Sequence, residues 1–260
     1  AFMDFNPVRG FARSEWVGFE NFRLFFTDKD FFRVVRNTLS INIGLLVFAF
    51  PVPILFAILL NEVRSSRFQK ITQTITYMPH FVSNVVICGL MIEFTRSDGL
   101  ITALLTRLGV ENVNLLTKKE WFQPLYIFMN IWQEFGWDSI IFFAALTSIS
   151  PELYEAAAID GAGIWQRIIH IMIPAIKKLA GTLLILQIIS VFQIMYEPMV
   201  LTKGGPDNAS LSLMQLMWQY AFGGSMNYGK ASAVAVIVTL ILLVMTAIYS
   251  YFDRKESDWD

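Results

Sequence analysis

The strongest constraint on this chain is a series of apolar stretches, each long enough for a membrane-spanning helix, separated by short charged connections. They cover residues 37–60, 71–92, 121–147, 179–201 and 231–252. About 20 residues of α-helix cross the hydrocarbon core of a bilayer. Charged residues make up 16% of the 260 residues, whereas an ordinary soluble domain has about 25%. The sequence therefore predicts an all-α, polytopic membrane helix bundle with five spans.

The basic residues of the connections indicate an orientation, because Lys and Arg favour the cytoplasmic side of a membrane. They cluster in two connections and the tail: Arg64, Arg67 and Lys70, then Arg167, Lys177 and Lys178, then Arg254 and Lys255. This pattern places residues 61–70, 148–178 and the C-terminus in the cytoplasm. Residues 1–36 are then an external N-terminal segment, with an amphipathic helix over residues 25–35. An external N-terminus needs one further span before Ala1, so six are expected in the full protein.

Several classes of function are excluded by composition and motifs. The formal net charge is −1, so no excess of positive charge indicates nucleic-acid binding. A single cysteine, Cys88, excludes an internal disulfide, and the chain lacks the Gly-x-x-x-x-Gly-Lys-Ser/Thr loop of a Walker-type ATP site. With two isolated histidines, His80 and His170, the sequence predicts no catalytic residues and no metal site. His80, beside Pro79, is expected to make a hydrogen bond at a helix kink.

The most informative segment is Glu-Ala-Ala-Ala-Ile-Asp-Gly-Ala-Gly at residues 155–163, followed later by Pro174. Three alanines after a glutamate favour helix, and Asp160-Gly161 is a turn signal that ends it. An amphipathic stretch follows over residues 164–173. The pattern predicts two short helices that meet at a bend, with small side chains at the corner where another protein can approach the backbone.

This segment resembles the EAA loop of the membrane subunits of binding-protein-dependent ABC importers. That pattern is Glu-Ala-Ala, a glycine six residues after the glutamate and a later proline, matched by Glu155, Ala156, Ala157, Gly161 and Pro174. The extended forms Glu-Leu-Tyr-Glu-Ala-Ala and Ile-Asp-Gly-Ala-Gly resemble the carbohydrate-importing branch. Tyr-Met-Pro-His-Phe at residues 77–81 resembles its LplB-type subgroup, which moves oligosaccharides derived from polysaccharides. Lys178 departs from the family, where a second proline is common.

The resemblance implies a type I ABC importer permease fold, with a transmembrane permease domain over residues 37–260 and a cytoplasmic EAA coupling loop at residues 150–175. In that family the corner of the loop docks in a groove of an ATPase, so ATP and Mg belong to the partner and this chain carries no cofactor and no enzyme activity. The implied partners are a second homologous permease subunit, two ATP-binding subunits, a solute-binding protein, a saccharide and the lipid of a bacterial cytoplasmic (inner) membrane. The implied coupling residues are Glu155, Ala156, Ala158, Asp160, Gly161, Gly163 and Pro174.

Polar side chains inside the spans are candidates for substrate contacts, because such groups usually face the bundle interior or a wet path. Glu134 and Asp138 share a helical face close to Trp132, and aromatic faces beside hydrogen-bonding groups suit a sugar. The family holds its substrate between the spans that flank the EAA loop, which implies a path at Asn130, Trp132, Gln133, Glu134, Gly136, Gln187, Ser190 and Gln193. The alternative is that these polar residues bond between helices and that the tryptophans are interfacial anchors.

The sequence thus predicts the membrane-spanning permease subunit of an ATP-driven ABC importer that translocates a sugar, in particular an oligosaccharide, delivered by a solute-binding protein. An ABC permease for a non-sugar solute is one alternative. An ion-coupled secondary transporter using Glu134, Asp138 or Glu197 is another, although it makes no use of the EAA loop. The spans have no central Lys or Arg, which favours a neutral sugar, while an acidic oligosaccharide such as one from alginate stays open.

Overall fold

In a computed structural model the chain is mainly helical, and the described residues are 1–8, 10–111, 113–191, 194–224 and 226–257. Two short strands, β1 (Met3–Asp4) and β2 (Glu15–Trp16), pair antiparallel near the N-terminus. The helices are α1 (Glu20–Phe26), α2 (Phe31–Gly44), α3 (Pro51–Asn61), α4 (Ser66–Tyr77), α5 (Asn84–Thr95), α6 (Leu100–Arg107), α7 (Lys119–Thr147), α8 (Pro151–Ile159), α9 (Ile164–Arg167), α10 (Ile173–Val191), α11 (Tyr196–Thr202), α12 (Leu213–Phe222) and α13 (Tyr228–Ser257).

The helices agree with the predicted number of spans in the described part of the chain. Three continuous helical segments are long and apolar enough to cross a membrane, namely Phe31–Asn61, Ile164–Ser190 and Tyr228–Ser250. Two bent pairs pass the same test when each is taken as one span: Ser66–Phe81 with Asn84–Arg107, bent by 95°, and Lys119–Thr147 with Pro151–Ile159, bent by 69°. Counting the bent pairs gives five.

Two of the long helices contain a π turn directly before a proline. In Phe31–Asn61 the turn covers Leu45–Ala49 and is followed by Pro51. In the other helix it covers Ile168–Met172, and Ile173 lies between the turn and Pro174. Proline lacks an N–H donor, and its ring collides with the carbonyl group four residues earlier in a regular helix. A local change to i→i−5 hydrogen bonding is a known way to accommodate such a position, so each proline sits within a continuous helix.

The bounds of three predicted segments differ from the sequence reading. The stretch 71–92 is broken after a 3₁₀ turn at Met78–Phe81, where Val82 is extended with φ −79° and ψ 134°. The stretch 179–201 is not one helix, because α10 begins before it and ends at Val191, and α11 is separate. The amphipathic stretch 25–35 is interrupted between α1 and α2, where the Asp28 carboxylate accepts a hydrogen bond from the backbone N–H of Asp30. A side chain that bonds to the backbone two residues ahead competes with helix formation.

The described residues pack as two units, of which the first comprises Ala1–Asn42, Ile92–Phe122 and Ile188–Asp260. Its core is formed by Phe25, Val34, Leu211, Leu213, Leu216, Val234 and Val238. Buried polar groups join its segments as well: Asn37 Nδ2 donates to the carbonyl oxygen of Asn208 over 2.8 Å, and Thr38 Oγ1 accepts from the backbone N–H of Leu213 over 3.0 Å. These bonds satisfy polar atoms that would otherwise be costly to bury.

The second unit comprises Ile43–Met91 and Gln123–Gln187 and contains the EAA-like segment. Its core joins α3, α7 and the helix that follows the segment, through Ala57, Ile58, Phe142, Leu146, Met172 and Ile176. Ile149, Tyr154 and Ile168 pack against this core from the segment itself and its flanks. The segment is therefore attached to two helices of the second unit by apolar contacts.

Candidate functional site

The EAA-like segment folds as a bent structure, residues 151–167, which we call the elbow. Its first arm, α8, starts at Ser150, whose Oγ accepts from the backbone N–H of Glu152 over 3.3 Å, with Pro151 at the first helical position. Serine as N-cap and proline next to it are typical of a helix start. The predicted helix over the alanine run is thus confirmed.

The corner of the elbow is a Schellman turn centred on Gly161. The N–H of Ala162 donates to the carbonyl oxygen of Ala157 over 2.8 Å, and that of Gly161 donates to Ala158 over 3.1 Å. This closure needs a residue with positive φ, and Gly161 has φ +74°. The chain re-enters helix at Gly163, whose N–H donates to Gln166 Oε1 over 2.8 Å.

The second arm is longer than predicted. The sequence pattern indicated a short helix over residues 164–173, but α9 continues through the π turn into α10 as one helical segment, Ile164–Ser190. The prediction of two short helices is therefore wrong for the second one, because the π turn lets the helix pass Pro174. The elbow is thus a direct extension of a candidate span.

The predicted coupling residues are all exposed: Glu155, Ala156, Ala158, Asp160, Gly161, Gly163 and Pro174. Pro174 lies beyond the π turn, whereas the other six are in the elbow. Two large apolar side chains beside the corner are also exposed, Ile159 at 86% and Trp165 at 76%. Both flank Gly161 in the sequence and add apolar surface near the predicted coupling residues. Trp165 was not selected from the sequence, where it reads as an ordinary amphipathic position.

The root of the elbow carries an ion pair. Arg167 Nη2 lies 3.2 Å from Glu62 Oε2. Arg167 is the last residue of α9, and Glu62 is the C-cap of α3. Their side chains are 26% and 23% exposed, so the pair is partly shielded from solvent. No sequence pattern indicated this contact, since the partners are 105 residues apart.

A second group of interest, which we call the polar cluster, consists of His80, Glu134 and Trp137. His80 Nδ1 lies 2.6 Å from Glu134 Oε2, and its ring stacks on Trp137 with 4.4 Å between centroids and 1° between planes. His80 lies in the 3₁₀ turn after α4. The expected hydrogen bond of His80 at a kink is present, and its partner is one of the predicted substrate-path residues. Within the described residues no group of three or more His, Cys, Asp or Glu could hold a metal ion.

The other predicted substrate-path residues differ in their surroundings. Trp132 is 44% exposed and Asn130 is half-buried. Gln133 is buried and donates to Asn84 Oδ1 over 2.8 Å, and a Cβ atom at Gly136 would overlap the carbonyl oxygen of Thr76. These last two make contacts between helices. Gln187 and Ser190 lie one turn apart on α10, and Gln193 lies outside the described residues.

Comparison with known families decides the class of this chain. Residues 49–258 match the family described as binding-protein-dependent transport system inner membrane component. The chain belongs to this family. It is therefore a transport subunit rather than an enzyme, as the EAA-like segment predicted, and the elbow is where that segment lies in the fold.

Individual relatives confirm the predicted branch. The chain is 41% identical over 251 residues to the polygalacturonan/rhamnogalacturonan transport system permease protein YteP of Bacillus subtilis (strain 168), covering 95% of this chain and 78% of the relative. It is 39% identical over 261 residues to protein LplB of the same organism, covering 98% and 82%. The LplB-type resemblance of the sequence is thus confirmed.

A solved structure confirms the fold class. The crystal structure of a bacterial ABC transporter involved in the import of the acidic polysaccharide alginate matches with a TM-score of 0.86 and 35% identity, covering 92% of this chain and 84% of that one. The all-α membrane fold of a type I ABC importer permease, predicted from the spans and the EAA-like segment, is therefore correct.

Proposed function

We propose that this chain is the permease subunit of an ATP-driven importer that moves an oligosaccharide, delivered by a solute-binding protein, across a bacterial cytoplasmic membrane. The observation that carries the proposal is the exposed elbow at the end of a candidate span, with six predicted coupling residues and two large apolar side chains open to a partner. Family membership and the saccharide transport named for YteP support it.

The proposed partners follow from the same features. The elbow docks on a separate ATPase, which binds ATP and Mg, and two such subunits serve a pair of homologous permeases. The basic residues beside the elbow and in the connection at residues 61–70 support a cytoplasmic location for both. The first 36 residues and the connection around Leu108 then lie outside, where a binding protein delivers the solute.

The polar cluster supports a saccharide rather than an ion as the transported solute. Glu134 is already paired with His80, so it is not a free carboxylate that waits for a coupling ion. Trp137, which is 39% exposed, stacks on His80 of this hydrogen-bonding pair, and an aromatic face beside hydrogen-bonding groups suits the apolar faces and hydroxyl groups of a sugar. YteP is named for polygalacturonan/rhamnogalacturonan transport and the matching crystal structure is of a transporter involved in the import of the acidic polysaccharide alginate, so an oligouronate is the first substrate to test.

The test is uptake by the complete transporter, purified with its partner subunits and reconstituted in proteoliposomes. We expect ATP-dependent uptake of a labelled oligogalacturonate or a neutral oligosaccharide in the presence of the binding protein, and none without ATP. Uptake driven by an ion gradient in the absence of the ATPase would overturn the proposal. Uptake of an amino acid in place of both saccharides would move the chain to the non-sugar alternative.

A further inference from the structure

We infer that the ion pair between Arg167 and Glu62 is a strut that fixes the angle between the elbow and α3, which makes Arg167 a positioning residue for coupling. The inference rests on the proposed function, because it assigns a role in transmitting movement from an ATPase. The docking surface at the elbow corner explains how the chain meets the ATPase, and the ion pair explains how movement of the elbow reaches α3.

The position of the pair is the first argument. Arg167 lies four residues after Gly163, at the end of α9, where the chain leaves the elbow. Glu62 caps the end of α3, which belongs to the continuous helical segment Phe31–Asn61. A displacement of the corner thus reaches a candidate span through one side-chain contact of 3.2 Å, without passing along the backbone of α10.

The chemistry of the contact is the second argument. The apolar contacts at the root, made by Tyr154 and Ile168 against the core of the second unit, are not directional. A helix can rotate or slide by a small amount over such a surface at low cost. An arginine–carboxylate hydrogen bond is directional and charge-assisted, so it selects one orientation of the elbow among those that the apolar contacts permit.

The packing around the pair is the third argument. A cavity of about 610 Å³ lies at the root of the elbow, lined by Arg167 and Glu62 together with Asn61, Arg64, Glu155 and Ile164. The elbow is therefore not held by close packing on this side. Arg167 Nε is buried without a hydrogen-bond partner in the described part of the chain. The guanidinium group thus keeps a donor for a second acceptor, and Glu155 is the other acid that lines the cavity.

The experiment is a charge-reversal cycle in the complete transporter, with Glu62→Arg, Arg167→Glu and the double reversal. Spin labels at Ile159→Cys and Leu59→Cys, both exposed positions, report the distance between the elbow and α3 in a Cys88→Ala background. The readouts are the mean and width of this distance distribution with and without ATP and vanadate, and ATP-dependent uptake by the same variants. The conservative change Arg167→Lys and the cavity-rim change Arg64→Ala complete the set.

We expect the wild-type distance to be narrowly distributed with the same mean in both conditions, because the strut moves α3 together with the elbow. Each single reversal should broaden the distribution and reduce uptake about fivefold, and the double reversal should restore most of both. Arg167→Lys keeps the charge but loses the planar fork of the guanidinium group, so we expect an effect between that of wild type and that of the single reversals, and Arg64→Ala should behave as wild type.

A double reversal no better than the single ones, or single reversals that behave as wild type, would overturn the inference. If the charge-reversal variants fail to assemble, Arg167→Lys becomes the deciding variant. A full wild-type response of Arg167→Lys would also overturn the inference. A wild-type transporter without ATP-dependent uptake would instead refute the proposed function.

Discussion

His80 Nδ1 and Glu134 Oε2 lie 2.6 Å apart although the residues are separated by 54 positions in the sequence. The short distance and the parallel stacking of His80 on Trp137 fix both polar groups inside a segment that is otherwise apolar. Such groups are expensive in a membrane and are usually functional. The pair therefore gives the first prediction.

Replacing Glu134 with glutamine should lower saccharide uptake by roughly tenfold, because an amide oxygen accepts a weaker hydrogen bond than a carboxylate, and the difference of about 1–1.5 kcal/mol loosens the position of His80. The measurement is ATP-dependent uptake in proteoliposomes. Glu120→Gln on the same helix, exposed and outside the polar cluster, is the matched control and should change little. Equal uptake by the two variants would remove the polar cluster from the substrate path.

The backbone of Gly161 gives the second prediction. Gly161→Ala places a side chain on a residue with φ +74°, a left-handed conformation that costs about 1–2 kcal/mol for residues other than glycine. The strain destabilises the Schellman turn that forms the corner of the elbow. We expect uptake to fall while the amount of the subunit in the membrane stays unchanged. Gly224→Ala is a close control, because Gly224 has φ +97° and open space around it but lies far along the chain from the elbow. Loss of uptake in both variants would show that strain alone, and not the elbow, is responsible.

Close packing at Gly136 gives the third prediction. A methyl group there would overlap the carbonyl oxygen of Thr76, and overpacking of a core typically costs about 1–3 kcal/mol. Gly136→Ala should lower the thermal unfolding midpoint of the detergent-solubilised protein. Gly181→Ala, in a helix with nothing within 4 Å of the added carbon, should leave the midpoint unchanged or raise it. A stable Gly136→Ala protein would contradict the described contact between α4 and α7.

A partly buried network in the first unit gives the fourth prediction. Asp28 Oδ2 accepts hydrogen bonds from Lys230 Nζ over 2.5 Å and from the Tyr220 hydroxyl over 2.6 Å. Burial alone would raise the pKa of Asp28, but these bonds and the nearby backbone N–H outweigh it and hold the pKa below the usual value. Burial raises the pKa of the Tyr220 hydroxyl above its usual value, and the hydrogen bond to Asp28 raises it further.

The sign of the pH effect follows from the lowered pKa of Asp28. A carboxyl group with a lower pKa in the folded state stabilises the fold above its unfolded pKa of about 3.9 and loses that contribution as the pH falls through its folded pKa. The difference in unfolding midpoint between wild type and Asp28→Asn should thus be largest near neutral pH and shrink below about pH 4. Thermal unfolding between pH 7 and pH 3 measures it, and a difference that grows on acidification would contradict the network.

The elbow could be predicted from sequence because its signals are local. The alanine run, the Asp160-Gly161 turn and the small residues after it each act within a few positions, and all three appear in the structure as α8 and the Schellman turn. The apolar stretches likewise gave the number of spans. Their ends were less accurate, since the helix after the corner already begins at Ile164 and passes Pro174 through a π turn, whereas the predicted apolar stretch began at residue 179.

The contacts that hold the site could not be predicted in this way. Glu62 and Arg167 are 105 residues apart, and Asp28 and Lys230 are 202 apart. Hydrophobic periodicity indicates that a helix is buried on one face but not which helix it meets. The sequence therefore identified Glu134 as a polar residue in a span, whereas its partner His80 required the fold.

The most direct test of the account is site-specific cross-linking between the elbow and the ATPase in the assembled transporter. A single cysteine at Ala158, introduced in a Cys88→Ala background, should form a short-range cross-link with the ATPase subunit. A cysteine at Leu108, which is 81% exposed and lies in a proposed external connection, should form none. A cross-link from position 108 and none from position 158 would contradict the claim that this elbow couples the permease to its ATPase.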